Sequence, residues 1–370
     1  MALAMRMGRI VSGSVVILMA MELMTGMIIS SRSGSSSSAY RFGFGAVDAG
    51  PGGGGLSMNY YTLSCPMAEF IVKNTVNAAL QADPTLAAGL IRMHFHDCFI
   101  EGCDASILLD STEDNTAEKD SPANLSLRGY DVIDDAKDQL EQQCPGVVSC
   151  ADILAMAARD AVFFAGGPVY DIPKGRKDGK RSKIEDTINL PSPTFNASQL
   201  ISMFAHHGLT AQDMVALSGA HTLGVARCSS FKNRVTGSTP DADLDSNFAK
   251  TLSKTCSGGD NAEQAFDATR NDFDNLYFNA LQRKAGLLSS DQTLFSSPRT
   301  SRFVNSYALN QAMFFFDFQQ AMRKMGSLDI KFDHSSNAQP LPLELDFYEG
   351  DARHHLLRLP ATVFSVTTLL

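Results

Sequence analysis

The sequence predicts a mostly α-helical protein, and three observations support this fold class. First, apolar residues recur with helical spacing in several stretches of residues 56–328. Second, Ser149 with Asp152 and Thr210 with Asp213 have the spacing of capping boxes, which are typical of helix N-termini. Third, the chain shows no internal repeat and no alternation of strand and helix patterns that would indicate a parallel sheet.

Three apolar helix faces can be assigned in chain order. They are formed by Val72, Val76, Ala79 and Leu80, then by Val132, Ala136 and Leu140, and then by Phe273, Leu276, Tyr277, Ala280 and Leu281. Residues 166–168 (Gly-Gly-Pro) and 190–193 (Leu-Pro-Ser-Pro) interrupt the periodicity and are expected to be loops. After about Ile330 the helical pattern fades.

The N-terminus has the order of a secretory signal peptide. Arg6 and Arg9 precede a largely apolar stretch, residues 10–29, and a stretch of serine and small residues follows. We therefore expect residues 1–39 to be a signal peptide. The apolar stretch is long for such a peptide and contains Glu22, so an uncleaved membrane anchor stays open as the alternative.

Length, composition and charge bound the remaining possibilities. The 370 residues are 44% hydrophobic, which allows one α-rich domain of roughly 250–300 residues. The net charge of -9 argues against nucleic acid as a partner. The basic cluster at residues 174–183 is broken by glycines and an aspartate, and we interpret it as a solvated loop. The predicted organisation is a signal peptide, a flexible Gly- and Ser-rich leader, a folded domain and an atypical tail, at residues 1–39, 40–55, 56–331 and 332–370.

The most informative segment is residues 90–99, LIRMHFHDCF. On a helix Arg92 and His96 share a face, with Phe95 beside them. The imidazole could take one proton from a peroxide and return it to the leaving oxygen, while the guanidinium stabilises the negative charge there. A buried histidine with an ordinary surface arginine is one alternative. A zinc site that uses His94 and His96 is another, although two residues apart on a helix they point in different directions.

Oxygen-bearing residues follow directly. Asp97, Asp104 and Ser106 offer hard ligands, and a turn at Gly102 can expose backbone carbonyls. Such a set suits Ca²⁺, although its spacing is not that of an EF-hand.

Residues 92–106 resemble the distal signature of the plant secretory (class III) haem peroxidases. The resemblance implies a helical domain that holds haem b between a distal and a proximal half, together with two Ca²⁺ ions. It implies that Asn124 hydrogen-bonds His96 and keeps it basic. It also implies that Ile100 and Gly102 bind calcium through their carbonyls and Glu118 through a water. The first calcium site would thus be formed by Asp97, Ile100, Gly102, Asp104, Ser106 and Glu118.

Residues 217–224, LSGAHTLG, match the second signature of that family. By this resemblance His221 is the axial ligand of the haem iron, and Asp291 is the carboxylate that accepts a hydrogen bond from its other nitrogen. Such an acceptor gives the imidazole imidazolate character and favours high-valent iron over reversible binding of O₂. The resemblance implies a second calcium site formed by Thr222, Asp267, Thr269, Asp272 and Asp274. Which residue near Asp272 would bind through a carbonyl is left open, as is a merely solvated acidic loop.

The chain has seven cysteines. The resemblance implies the disulfides Cys65–Cys144, Cys98–Cys103 and Cys228–Cys256. It also implies a partner for Cys150 near the C-terminus, where this sequence has no cysteine. The resemblance runs through about Lys331 and then stops. We interpret residues 332–370 as the product of a frameshift, an alternative splice form or an error in the gene model, and we expect Cys150 to be unpaired.

The sequence therefore favours a secreted, monomeric enzyme that reduces H₂O₂ to water and oxidises phenolic donors in one-electron steps. The resemblance implies that the carbonyl of Pro191 contacts the donor at the haem edge. Stable membrane insertion is not expected once the signal peptide is cleaved. The alternatives are a non-catalytic secreted calcium-binding relative that has lost haem, and a secreted zinc hydrolase. The enzyme is favoured because a non-catalytic relative would have no need to keep this set of five residues: Arg92, His96, Asn124, His221 and Asp291.

Overall fold

The computed structural model describes residues 55–236 and 241–331, and everything below concerns this part of the chain. It is mostly helical, as the sequence predicts. The helices are α1 (Ala68–Ala82), α2 (Leu86–Ile100), α3 (Tyr130–Gln143), α4 (Cys150–Phe164), α5 (Ala197–His206), α6 (Ala211–Ser218), α7 (Cys228–Phe231), α8 (Ser246–Cys256), α9 (Leu276–Gln282), α10 (Ser289–Ser296), α11 (Ser301–Leu309) and α12 (Gln311–Met325). Short 3-10 helices lie between them at Ser106–Leu108, Glu118–Asp120, Ile184–Asn189, Gly219–Thr222 and Lys232–Arg234.

The strand content of the described residues is one small antiparallel pair. Strand β1 (Val225–Arg227) pairs with β2 (Glu263–Ala265), with Val225 opposite Ala265. No helix of the described residues is both long enough and apolar enough to span a membrane. The predicted signal peptide, its alternative as an anchor, most of the leader and the tail lie outside the described residues.

Helix α4 is the centre of the first group of helices. It contacts α1, α2 and α3 and is therefore buried along nearly its whole length. Val72 and Val76 of α1 and Val132 and Leu140 of α3 are buried in the same core. The apolar faces predicted for these two helices are confirmed. Helix α2, which carries Arg92 and His96, packs directly against α4.

A second group of helices is packed around aromatic rings. Helix α12 contacts α6, and α11 contacts α9 and α10. The Phe278 and Phe314 rings are 4.9 Å apart and fully buried. A Cβ atom at Gly219 would collide with both rings, so glycine lets the turn that carries His221 lie directly on this cluster.

The two predicted capping boxes have different outcomes. Thr210 and Asp213 form a complete box at the start of α6. Ser149 caps α4 by accepting the N–H of Asp152 at 3.2 Å, but the Asp152 side chain does not return the bond. It accepts instead from the Tyr61 hydroxyl at 2.6 Å and from the Arg176 guanidinium at 2.7 Å. Of the two hydrogen bonds that define a capping box, only the one from the Asp152 N–H to Ser149 is therefore formed.

The interpretation of residues 174–183 as a solvated loop is wrong for two of its cations. Lys174 and Arg176 are buried. Lys174 donates to Glu69 at 2.6 Å, and Arg176 also donates to the carbonyl oxygen of Gly326 at 2.9 and 2.6 Å. A buried cation is tolerated only when charged and polar partners replace the water that it loses, and these contacts do so.

The three disulfides are formed as the resemblance implies. They join Cys65 to Cys144, Cys98 to Cys103 and Cys228 to Cys256. Cys150 has no disulfide partner among the described residues. Burial, reinforced by the charge of Asp178, raises the pKa of its thiol to about 12, so the thiol stays protonated and unreactive at neutral pH.

The ion pair between Asp152 and Arg176 should be essential for stability. The variant Asp152→Ala leaves the guanidinium, whose side chain is 1% exposed, without its carboxylate. We expect the free energy of unfolding to fall by about 3–5 kcal/mol in urea titrations. The matched control is Asp260→Ala, which breaks the exposed pair with Lys232 and should cost less than about 1 kcal/mol. Equal losses in the two variants would contradict this account.

Candidate active site

Helix α2 places Arg92 and His96 on one face, one turn apart, as predicted. The Nε atom of Arg92 donates to Nε2 of His96 at 3.2 Å, and Nδ1 of His96 lies 2.5 Å from Oδ1 of Asn124. A guanidinium can only donate, so Nε2 is the acceptor and the proton resides on Nδ1. Nδ1 therefore donates to Asn124, and the predicted partner of His96 is in place.

Asn124 is itself oriented by a second hydrogen bond. Its Nδ2 donates to the carbonyl oxygen of Glu118 at 2.7 Å, which fixes the amide oxygen toward His96. Burial, assisted by the charge of Arg92 and opposed by the Asn124 hydrogen bond, lowers the pKa of His96 to about 3. The imidazole is therefore neutral near pH 7, with a basic nitrogen at Nε2.

The loop before α3 holds the guanidinium of Arg92. Nη1 donates to Oγ of Ser126 and Nη2 to the carbonyl oxygen of Ala123, each at 2.8 Å. Sequence reasoning missed both partners, because no spacing rule connects Arg92 to residues more than thirty positions away. Phe95 lies beside His96 as expected, with the ring centroids 5.5 Å apart.

His94 points away from this group, and its surroundings do not suit zinc. Among the described residues, His94, Asp97 and Cys98 are close enough together to share a metal ion. However, the sulfur of Cys98 is bonded to Cys103 and is not a thiolate. His96 is committed to Arg92 and Asn124. A site with both His94 and His96 as ligands, the basis of the zinc hydrolase alternative, is therefore not formed.

Three buried carboxylates lie at the end of α2. Both oxygens of Asp97 and Oε1 of Glu118 are buried and form no hydrogen bond of good geometry with the described residues. Burial is the main reason that the pKa of Glu118 rises to about 7 and that of Asp97 rises well above its usual value. Asp104 accepts the N–H of Ser106 at 3.1 Å and pairs with Lys331. Buried oxygens with unmet charge indicate a place for a hard cation.

The backbone of the same loop is tied to the end of the described chain. Gly102 has a φ of 97°, which favours glycine, and its Cα lies against the Asp329 backbone. The N–H of Cys103 donates to the carbonyl oxygen of Leu328 at 3.2 Å. The carbonyl of Ile100 accepts from Asn189 at 3.3 Å, and that of Gly102 from the N–H of Asp104 at 2.9 Å.

His221 stands on the 3-10 helix Gly219–Thr222 and has the partner that the sequence predicts. Its Nδ1 lies 2.7 Å from Oδ1 of buried Asp291. The side chain is 39% exposed, so Nε2 is available to a ligand. The N–H of Leu288 donates to Oδ2 of Asp291 at 2.9 Å, and the Tyr277 hydroxyl donates to Oδ1 at 3.0 Å. These donors fix the carboxylate while it fixes the imidazole.

Two residues around His221 were not identified from the sequence. Tyr277 was assigned only to an apolar helix face, because its helical spacing does not reveal where its hydroxyl reaches. Phe266 stacks on the His221 ring at a centroid distance of 4.3 Å and an angle of 11°, and no sequence signal marks it. Stacking and the Asp291 bond together restrict rotation of the ring.

The five residues proposed for a second calcium site are brought together. Oγ1 of Thr222 lies 2.7 Å from Asp267 and 3.0 Å from Asp274, and Oγ1 of Thr269 lies 2.9 Å from Asp274. The backbone carbonyl oxygen of Asp272 lies 3.5 Å from Oγ1 of Thr222. The cluster adjoins His221 through Thr222.

The segments that carry the two histidines touch each other. Gly224, three residues after His221, has a φ of 85°, and a Cβ there would lie 2.8 Å from the Cβ of Ala88 on α2. The loop with Pro191 is joined to α10, which carries Asp291, because the N–H of Ser290 donates to the carbonyl oxygen of Pro193 at 2.9 Å. Pro191 itself is partly buried.

Comparison with known proteins identifies close relatives. The family model described as "Peroxidase" matches residues 72–310. The chain is 79% identical to Peroxidase 47 of Arabidopsis thaliana over 277 residues, which is 75% of this chain and 85% of that protein. It is 50% identical to Peroxidase 64 over 280 residues (74% and 88%) and 48% identical to Peroxidase 66 over 289 residues (76% and 90%), both of the same plant.

The raised pKa of Glu118 predicts how stability depends on pH without a divalent cation. Between its ordinary pKa of 4.5 and its folded value of about 7, the folded chain holds a proton that the unfolded chain has released. The free energy of unfolding should therefore fall as the pH rises through this window, by up to about 3 kcal/mol. Urea unfolding in the presence of a chelator at about pH 5 and about pH 7 measures this.

The variant Glu118→Gln should flatten this pH dependence, whereas the exposed control Glu113→Gln should leave it unchanged. Added Ca²⁺ should recover the lost stability at the higher pH, where the carboxylate is ionised. Parallel pH curves for the wild type and Glu118→Gln would refute the assignment.

Proposed function

The chain belongs to the peroxidase family, and we propose that His96 and His221 are the acid–base residue and the iron ligand of its haem site. The protein is a peroxidase, of the plant secretory class that its distal and proximal motifs resemble. One observation supports the residue assignments above all. In each histidine Nδ1 is hydrogen-bonded to a buried oxygen, of Asn124 or of Asp291. Nε2 is therefore the nitrogen that would exchange a proton with peroxide in His96 and bind the iron in His221.

The residues present fit haem b. His221 offers an exposed ring nitrogen with a carboxylate behind it, as an axial ligand requires. Haem, when bound, supplies an iron centre that H₂O₂ oxidises by two electrons and that donors reduce again one electron at a time. Asp291 makes the imidazole a stronger electron donor, and Tyr277 limits that effect by sharing the same oxygen.

In this proposal His96 transfers a proton between the two oxygens of H₂O₂. Its neutral Nε2 accepts the proton from the oxygen of H₂O₂ that is to bind, and returns it to the oxygen that leaves as water. In this structure that nitrogen accepts from Arg92, so peroxide would replace the Nε–H of Arg92. The released donor then stabilises negative charge on the leaving oxygen. Asn124 keeps the ring in the tautomer that leaves Nε2 basic.

We propose that two Ca²⁺ ions occupy the two carboxylate clusters. The orphaned oxygens of Asp97 and Glu118 support the first site, and the convergence of Thr222, Asp267 and Asp274 supports the second. Each site adjoins one histidine. Asp97 follows His96 on α2, and Thr222 follows His221, so a bound ion would hold the backbone of the residue that acts.

The donors are proposed to be small phenols, with the Pro191 carbonyl as one of their contacts. Secretion is proposed because three disulfides suit an oxidising compartment and the N-terminus has the pattern of a signal peptide. We propose a monomer. The non-catalytic alternative gains no support from the structure, which keeps both histidines, Arg92 and their partners in position.

Absorbance of the haem-loaded protein tests the assignment of His96. The variant His96→Leu should bind haem normally but react with H₂O₂ roughly 10²–10⁴-fold more slowly, because it lacks the acid–base group. Stopped-flow recording of the Soret band measures this rate. The control His206→Leu, at an exposed position of α5, should react as the wild type does. A wild-type rate in His96→Leu would refute the role of His96, and haem binding by His221→Ala with an unchanged spectrum would refute that of His221.

A further inference from the structure

We propose that Tyr277 is a positioning residue that sets the reduction potential of the haem iron, and thereby the range of phenols that the protein oxidises. This inference rests on the proposed role of His221 as the axial ligand. Tyr277 acts through Asp291. Its hydroxyl donates at 3.0 Å to Oδ1 of Asp291, the same oxygen that lies 2.7 Å from Nδ1 of His221. One carboxylate oxygen therefore serves two donors.

The two donors on Oδ1 share its negative charge. Each hydrogen bond that a carboxylate accepts stabilises its charged form and makes it a weaker base. A weaker base attracts the Nδ1 proton of His221 less, so the imidazole has less imidazolate character. With the Tyr277 hydroxyl bonded, His221 is a weaker electron donor than Asp291 alone would make it. The haem therefore has a higher reduction potential.

Burial increases the effect of this hydrogen bond. Tyr277 and Asp291 are each 1% exposed, so water neither competes for Oδ1 nor screens the carboxylate. The N–H of Leu288 donates to Oδ2 at 2.9 Å and fixes the carboxylate from the other side. The Tyr277 ring lies edge-on to the rings of His221 and Phe278, with centroid distances of 6.0 and 5.1 Å. This packing fixes the position of the hydroxyl.

The reduction potential of the haem decides which donors can react. In the proposed reaction one H₂O₂ and two phenols give two waters and two phenoxyl radicals, and each phenol loses one electron and one proton. A phenol with an electron-withdrawing substituent holds its electron more tightly and needs a more oxidising haem. Tyr277 therefore extends the range of donors toward electron-poor phenols.

The variant Tyr277→Phe removes the hydroxyl and keeps the ring. In the haem-loaded protein, the equilibrium between ferric and ferrous iron should shift about threefold to tenfold toward the ferric form, which is a fall in potential of about 30–60 mV. The vibration of the bond between iron and His221, recorded by resonance Raman spectroscopy, should rise in frequency. The matched control is Tyr307→Phe, which should change neither quantity. It removes an equally buried hydroxyl that donates to Asp317 at 2.7 Å, from a ring that is also 5.1 Å from Phe278.

The variant Asp291→Asn distinguishes a failure of this inference from a failure of the proposed function. It removes the negative charge behind His221, so the potential should rise and the iron–histidine frequency should fall. If Asp291→Asn changes neither quantity, His221 is not the ligand and the proposed function fails. If Asp291→Asn changes both and Tyr277→Phe behaves like Tyr307→Phe, only the role of Tyr277 is refuted.

A second substitution keeps the test valid if Tyr277→Phe does not load haem. The amino acid meta-fluorotyrosine, incorporated at position 277, keeps the ring and is a stronger hydrogen-bond donor than tyrosine, so the potential should rise. An unchanged potential would overturn the proposal.

Donor range is measured with two phenols of opposite character. In Tyr277→Phe the ratio of the rate with para-methoxyphenol to the rate with para-cyanophenol should increase by at least about threefold, because the less oxidising haem loses the electron-poor donor first. An unchanged ratio would refute the role of Tyr277 in donor range.

Discussion

Two hydrogen bonds, each donated by Nδ1 of one histidine, are the constraint on which the site depends. An imidazole has two similar nitrogens, and only a partner on one of them decides which is left for chemistry. Asn124 makes this choice for His96, and Asp291 makes it for His221. Their different chemistry suits the different roles that we propose. The neutral amide of Asn124 suits a neutral base, whereas the buried carboxylate of Asp291 would strengthen a metal ligand.

Much of the surrounding structure keeps these two acceptors in place. The Glu118 carbonyl orients Asn124, and the side chain of Glu118 belongs to the cluster of buried carboxylates at the end of α2. Asp291 is oriented by Leu288 and Tyr277. In our proposal the loop that would hold one Ca²⁺ therefore also positions the base. This would explain why a cluster of buried carboxylates, which destabilises the fold without a cation, lies so near the site.

The parts of the site that were predictable from the sequence are those encoded by local spacing. Arg92 and His96 share a helix face, and the oxygen-bearing residues Asp97, Asp104 and Ser106 are close in the chain, so local pattern alone brings them together. The acidic cluster after Asp267 was implied by the resemblance. Asn124 and Asp291 were identified only because their motifs resemble those of a known family. Apolar periodicity predicted α1 and α3 for the same local reason.

The missed features all depend on contacts between distant segments. Ser126 and Tyr277 act through hydroxyls whose partners lie elsewhere in the chain, and Phe266 acts by stacking. Arg176 looked like a solvated charge because its sequence neighbours are polar. Its partner, Asp152, had been assigned to a local helix cap. Tertiary burial overrode the local pattern in each case, and no periodicity in the sequence records it.

The pH dependence of the reaction with H₂O₂ tests most directly whether a buried, neutral His96 is the base. With the pKa of His96 held near 3, the second-order rate constant should stay constant down to about pH 4 and fall only below it. In Arg92→Gln the fall should begin at a higher pH, because the positive charge that opposes protonation of His96 is gone. A wild-type rate that already falls near pH 6.5, the ordinary value for an imidazole, or an acid limb that does not move in Arg92→Gln would contradict the account.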